Sequence, residues 1–119
     1  MTYYADIFYM DKCVCKIQYA EYSFESFEYV FEPDYDAINS LEGFRGIPGI
    51  DLSLHKKRYV RKNILPTFLG ERFRLPGKVL FYQAIKVDGL CPLEYLANNN
   101  YEYFGDKLTI KTCNEQRYK

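Results

Sequence analysis

Residues 3–19 read YYADIFYM, DK and CVCKIQY, two β-rich runs separated by the polar pair Asp11-Lys12. The second run alternates from residue to residue, with Cys13, Cys15, Ile17 and Tyr19 on one side and Val14, Lys16 and Gln18 on the other. Alternation of this kind is typical of a β-strand, because successive side chains of a strand point to opposite faces. Two such runs across a short polar turn predict an antiparallel hairpin.

Two further strands are predicted after the hairpin. Residues 27–31 (FEYVF) place three aromatic rings on one face, and Pro33 ends this third strand. Residues 50–54 (IDLSL) alternate again and predict a fourth strand. Between the two, Asp34 is suited to cap a short helix over residues 34–41.

The second half of the chain is predicted to hold short helices and then two strands. A helix is predicted to begin at Pro66 and to stop before Pro76-Gly77, and wide apolar spacing predicts a core helix over residues 79–87. Another short helix is predicted over residues 92–97, and a closing strand pair over residues 101–104 and 107–110. The 119 residues therefore predict one α+β domain: a small antiparallel sheet, made of the N-terminal hairpin with the third and fourth strands, then short C-terminal helices and the closing strand pair.

Composition favours a cytoplasmic protein. No apolar run approaches the ~20 residues that cross a bilayer, and the first residues lack the charged and apolar regions of a signal peptide. The four cysteines fit reduced, partly buried thiols, since Cys13 and Cys15 are spaced for packing on one strand face. Cys91, Cys113 and the single histidine, His55, are too scattered to predict a metal site.

Motifs for catalysis are lacking in the sequence. There is no Walker loop, GxGxxG, GxSxG or HExxH pattern, and one histidine excludes most histidine-based triads. We therefore expect neither enzymatic activity nor a cofactor.

A net charge of zero conceals a division of charge along the chain. Residues 1–42 carry nine acids and two bases, whereas residues 43–119 carry fourteen bases and seven acids. The bases are densest over residues 55–62 (HKKRYVRK). Such a run either meets an anionic partner or faces the acidic half of its own chain, and the sequence leaves both interpretations open.

The preferred partner for the basic run is an acidic protein, because arginine, tyrosine and phenylalanine are enriched at the centres of protein interfaces. The alternative is nucleic acid: lysines and arginines would bind phosphates, and the interleaved Tyr59 would stack on bases. No helix-turn-helix, zinc-finger or RNP signature accompanies the run.

Two short motifs resemble the core of the HipA N-terminal subdomain. Leu52-Ser-Leu54 followed by Asn63-Ile-Leu-Pro66 is similar to the family pattern LS-x-SLP … F-F-x-N-L-L-P, and the order of elements agrees over roughly residues 3–112. His55 stands where the family has proline, Val60-Arg61 where it often has two aromatic residues, and Thr67 where glutamate is common.

HipA proteins are serine/threonine kinase toxins in which this small subdomain is joined to a large kinase body, and no kinase motif is present in this chain. The resemblance therefore implies a stand-alone, HipS-like antitoxin of a bacterial HipBST-type system. Its implied partners are a separately encoded HipT-like kinase and a DNA-binding HipB-like protein.

A separately encoded subdomain must leave an interface exposed, and an apolar side chain could plug the cleft of a kinase. Phe68 and Phe73 are the candidates for such a plug, with core packing as the alternative for each. The predicted partner-binding residues are Lys56, Lys57, Arg58, Tyr59, Arg61, Lys62, Asn63, Phe68, Arg72 and Phe73.

Overall fold

The N-terminal hairpin forms as the alternation predicts, with its turn one residue earlier than expected. In a computed structural model that describes residues 2–23, 26–72, 92–99 and 107–112, Tyr9 pairs with Lys12, so the turn residues are Met10 and Asp11. Met10 adopts a left-handed backbone conformation (φ 57°), and its N–H donates to the Lys107 carbonyl at 2.9 Å. The turn is thereby tied to the start of the last described strand.

The described residues form a five-stranded antiparallel sheet with the order β4-β3-β2-β1-β5. Its strands are β1 Thr2–Tyr9, β2 Lys12–Ser23, β3 Ser26–Pro33, β4 Tyr59–Lys62 and β5 Leu108–Thr112. Short helices accompany the sheet: α1 Tyr35–Asn39, a 3-10 helix Leu52–Leu54, α2 Thr67–Glu71 and α3 Pro92–Asn99. An antiparallel sheet with a few short helices is what the sequence predicts at this level.

One face of the sheet carries the core. A single row of paired residues, Ala5, Ile17, Phe31 and Tyr59, crosses four strands, and each of these side chains is buried. The helices α2 and α3 add Phe68, Leu69, Leu93 and Leu96 to the same cluster. The apolar side of the strand alternation is therefore the side that the helices cover.

Val14 departs from the predicted alternation, since it lies on the predicted polar side and is fully buried. The pairing of β1 with β2 shifts between Ile7 and Phe8, which pair with Cys15 and Cys13. Val14 is thus the extra residue of a β-bulge, and a bulge turns its side chain out of the regular two-residue repeat.

The first predicted helix is confirmed. Asp34 precedes α1, and its side chain accepts a hydrogen bond from the Ala37 N–H at 3.1 Å. This is the usual role of an N-cap aspartate, because the first N–H groups of a helix have no partner within the helix.

The prediction of a fourth strand at residues 50–54 is wrong. Residues 52–54 form the 3-10 helix, capped by the Asp51 carboxylate, which accepts from the Ser53 N–H at 3.1 Å. The fourth strand is β4, within the basic run. A short polar residue next to a helical turn competes with strand formation, because its side chain bonds to the local backbone.

Several predictions fall on residues outside the described ranges: the core helix over 79–87, the first strand of the closing pair (101–104), and Phe73. The second strand of that pair is β5, which pairs with β1. None of the helices in the described ranges is long and apolar enough to cross a membrane.

Candidate binding surface

The basic run lies at one edge of the sheet. The chain leaves the 3-10 helix through His55, which has a left-handed conformation (φ 51°), and enters β4 at Tyr59. β4 pairs with β3 on one side and is the outermost strand in the sheet order. We call residues 54–64 the basic edge.

Tyr59 anchors the basic edge from within. Its ring is buried, and its hydroxyl donates to the Asp51 carbonyl at 2.6 Å and accepts from the Lys56 N–H at 3.3 Å. The Tyr35 hydroxyl lies 3.2 Å from that of Tyr59 and donates to the Lys56 carbonyl at 2.5 Å. Two phenols therefore hold the loop that carries the lysines.

The phenol of Tyr35 has a pKa above its ordinary value. Desolvation by burial is the first cause and the hydrogen bond to Tyr59 the second, and together they raise the pKa of Tyr35 to about 12. The Tyr35 ring also stacks on the His55 imidazole, with centroids 5.0 Å apart. The loop thus keeps its hydrogen bonds at neutral pH.

Two residues hold β4 at its end and on its flank. Asn63, which is left-handed (φ 58°), accepts from the Phe27 N–H through Oδ1 at 2.9 Å and donates its own N–H to the Phe27 carbonyl at 2.9 Å. Arg61 donates from one guanidinium nitrogen to the Gly49 carbonyl at 2.8 Å and from another to the Val60 carbonyl at 3.1 Å. A Cβ at Gly49 would lie 2.8 Å from that of Thr67, so glycine is required at that bend.

Exposed lysines and hydrophobic side chains alternate along the basic edge. Lys56, Lys57, Arg58 and Lys62 are exposed. Leu54, Val60 and Ile64 are exposed hydrophobic residues, with 57%, 41% and 58% of their surface accessible. Apolar side chains left in water beside cations indicate a surface that can be covered by another molecule.

The acidic half of the chain compensates part of this charge, as one of the two sequence interpretations proposes. Arg58 lies 4.0 Å from a carboxylate oxygen of Glu32, and Lys57 lines a cleft that also contains Glu32, Asp34 and Asp36. Lys62 is opposite Glu28 in the strand register, and the Glu28 carboxylate accepts from the Tyr22 hydroxyl at 2.7 Å. Lys56 and Lys62 have no carboxylate within 4.0 Å in the described ranges.

Three predicted partner-binding residues are inside the domain, which corrects their assignment to an exposed surface. Tyr59, Phe68 and Arg72 are 3%, 0% and 4% exposed. Phe68 belongs to the core between α2 and the sheet, so the packing interpretation holds for it rather than that of a plug. A helix of one turn can bury only one side, and Phe68 lies on that side with Leu69.

Arg72 is a structural residue that joins α2 to β5. It donates to the Phe68 carbonyl at 3.1 Å and to the Leu108 carbonyl at 3.0 Å, and its guanidinium carbon lies 4.0 Å from the centroid of the Phe68 ring. The guanidinium of Arg72 therefore bonds within the domain and is not exposed to a partner.

Leu54, Val60 and Ile64 were missed by sequence reasoning, which expected a loop or a strand end at residues 55–62. The signal was present: Tyr59 and Val60 are residue types that favour strands, and Tyr-Val-Arg-Lys alternates between the core and solvent. The density of cations in the same stretch hid that signal.

Cys13 and Cys15 are the two cysteines within the described ranges. Burial raises the pKa of the Cys15 thiol, which donates to the Lys16 carbonyl at 3.3 Å, and Cys13 is half-buried. In the ranges that the structure describes, no three His, Cys, Asp or Glu side chains are grouped to hold a metal ion. Cys91 and Cys113 lie outside those ranges.

Comparison of the chain with protein-family profiles, with curated proteins and with solved structures finds no match.

Proposed function

We propose that this protein is a non-enzymatic, cytoplasmic binding protein that docks through its basic edge on an acidic surface of a separately encoded HipA-type kinase. In this proposal it acts as a HipS-like antitoxin, beside a DNA-binding HipB-like protein. The observation that carries the proposal is the edge strand β4, where exposed Val60 and Lys62 are flanked by exposed Leu54, Lys56 and Ile64.

The rigidity of the basic edge supports this proposal. Tyr59 and Asn63 tie the two ends of β4 to the rest of the domain through the hydrogen bonds described above. A surface that is already ordered loses little conformational entropy on binding, so a larger part of the contact energy contributes to affinity.

The family resemblance supports the identity of the partner. Leu52-Ser-Leu54, the first matching motif, is the 3-10 helix that leads into the basic edge, and Asn63-Ile-Leu-Pro66, the second, leads from β4 into α2. The two motifs therefore bracket the exposed surface. With Phe68 in the core, we propose regulation by docking of this surface rather than by insertion of that ring into a kinase cleft.

Nucleic-acid binding has less support. Base stacking would require an exposed Tyr59 ring. That ring is buried, and its hydroxyl donates to the Asp51 carbonyl. The exposed cations alone would bind phosphates without stacking, and such binding weakens steeply as salt rises.

Co-elution tests the proposal. The wild-type protein, co-expressed with a HipA-type kinase from the same genome, should elute with the kinase in gel filtration. The double variant Lys56→Glu/Lys62→Glu should bind about tenfold more weakly, mainly through slower association. Lys12→Glu/Lys111→Glu is the matched control, since both lysines are exposed and lie outside the basic edge.

Two results would contradict the proposal: failure of the wild-type pair to co-elute, or equal loss of affinity in the two double variants. If the protein instead retains RNA or DNA, with affinity that falls steeply between low and moderate salt, the nucleic-acid alternative replaces it.

A further inference from the structure

The outer side of β4 has a row of backbone hydrogen-bonding groups that pairs with no other strand of the described residues. The Asn63 N–H donates to the Phe27 carbonyl of β3. Because backbone groups alternate in direction along a strand, residues 59, 61 and 63 face β3, whereas Val60 and Lys62 point their N–H and C=O groups away from the sheet. In the described part of the chain, no other strand pairs with that side.

We infer that this outer edge accepts an extended, acidic segment of the partner as a sixth strand, hydrogen-bonded to the backbone of Val60 and Lys62. The inference rests on the proposed function, for which it specifies the mode of binding and the chemistry of the partner. Strand addition to an exposed sheet edge is a common mode of peptide recognition, in which backbone bonds supply affinity and side chains supply specificity.

Charge determines which segment fits. Residues 56–62 hold five cations and no acid, so a second copy of β4 would be repelled, whereas glutamate or aspartate side chains of an added strand would be attracted. Val60 and Ile64 offer apolar contacts beside these cations. The occupant is therefore an acidic segment with alternating apolar residues.

Arg61 controls access to this edge. One of its guanidinium nitrogens donates a hydrogen bond to the Val60 carbonyl. That carbonyl is one of the acceptors that an added strand would use. The added strand must displace the guanidinium, and the released group can then pair with a carboxylate of that strand. Until then the same contact shields the edge from indiscriminate pairing.

β5, the last strand at the other end of the described order, does not offer the same site. There the outward carbonyl of Leu108 in β5 accepts from Arg72, which is buried and held by Phe68 as well. Strand addition is accordingly assigned to β4 alone.

Residue-resolved amide exchange tests the inference without the kinase. The probe is a peptide of about seven alternating valine and glutamate residues, the length of an ordinary strand, and its control is the same peptide with lysine in place of glutamate. The glutamate peptide should slow exchange of the Val60 and Lys62 amides about tenfold and leave those of Arg61 and Asn63, already bonded to β3, unchanged. Unchanged exchange at Val60 and Lys62, or equal slowing by both peptides, overturns the inference.

A proline variant tests the same contact in the complex. Val60→Pro removes an outward N–H and leaves the bonds to β3 in place, which is the position where an edge strand tolerates proline. Val60→Ala, the control, shortens the side chain and keeps the N–H. With circular dichroism showing both variants folded, Val60→Pro should lose kinase co-elution, whereas Val60→Ala, which gives up only an apolar contact, should weaken it far less.

The outcomes separate the two proposals. If the kinase co-elutes equally with both folded variants, docking stands and strand addition is wrong. If the kinase fails to co-elute even with the wild type, the proposed function fails, and protection of Val60 and Lys62 by the glutamate peptide decides strand addition independently. If Val60→Pro is unfolded, Lys62→Pro replaces it, with Lys62→Ala as its control, because both lose the lysine charge and only the proline variant loses the outward N–H.

Discussion

The two outermost strands of the described sheet, β4 and β5, use the same chemical group in opposite ways. At β5, the buried guanidinium of Arg72 bonds to the outward carbonyl of Leu108 and joins that edge to α2. At β4, Arg61 bonds to the outward carbonyl of Val60, but it does so at the surface, among exposed lysines and hydrophobic side chains. An arginine that caps a sheet edge in the interior contributes to stability, whereas one that caps it in solvent can release the edge to a partner.

The largest difference between the edges should appear when one buried and one exposed side chain are shortened. Ile110 of β5 is fully buried and Val60 of β4 is 41% exposed. Ile110→Ala should lower the free energy of unfolding by about 3 kcal/mol, because it leaves a cavity in the core. Val60→Ala should lower it by less than about 0.5 kcal/mol. Urea unfolding measures both changes in the free energy of unfolding, and similar values for the two variants would contradict the difference in burial between β5 and β4.

The arginines themselves give the next largest effect. Arg72→Met should destabilise the protein by about 2 kcal/mol, because the carbonyls of Phe68 and Leu108 lose their buried donor. Arg61→Met should cost less than about 1 kcal/mol, since water can replace its guanidinium at the surface. A larger loss for Arg61→Met than for Arg72→Met in thermal unfolding would reverse the comparison.

Asn63 tests how firmly the end of β4 is held. Asn63→Ala should cost about 1 kcal/mol, because it removes the acceptor of the Phe27 N–H and places alanine in a left-handed conformation. Asn63→Gly is the control, since glycine keeps the backbone conformation and loses only the side-chain bond. Chemical denaturation should rank the wild type above the glycine variant and the glycine variant above the alanine variant.

The last effect appears only outside the neutral range, and it is the pH dependence that Tyr35 adds on the β4 side. The pKa of Tyr35 is raised to about 12 in the folded protein, against an ordinary value of 10.0, so its contribution is complete below pH 10. That contribution is lost as the pH rises toward 12, because the unfolded chain ionises first. Tyr35→Phe should therefore lose less stability between pH 10 and 12 than the wild type. Thermal melts across this range would contradict the assignment if the two curves fell in parallel.

Local patterns predicted much of the sheet and little of the candidate surface. The hairpin and β3 follow from alternation, and the cap of α1 follows from Asp34. The exposed cations of the basic edge were also identified from their density. The wrong prediction of a fourth strand at residues 50–54 rests on the alternation of that segment, whereas local side-chain bonds of Asp51 favour a helical turn there.

Elements with a local cause follow from the residues alone: alternating strands, a capped helix and a run of cations. The burial of Tyr59, Phe68 and Arg72 follows only from the packed fold. The same holds for the position of β4 as the outermost described strand, with the backbone groups of Val60 and Lys62 pointing away from β3. Whether a side chain is covered or exposed depends on contacts between residues that are far apart in sequence. Phe31 and Tyr59, for example, pair across about thirty residues of chain, and no local pattern encodes that pairing.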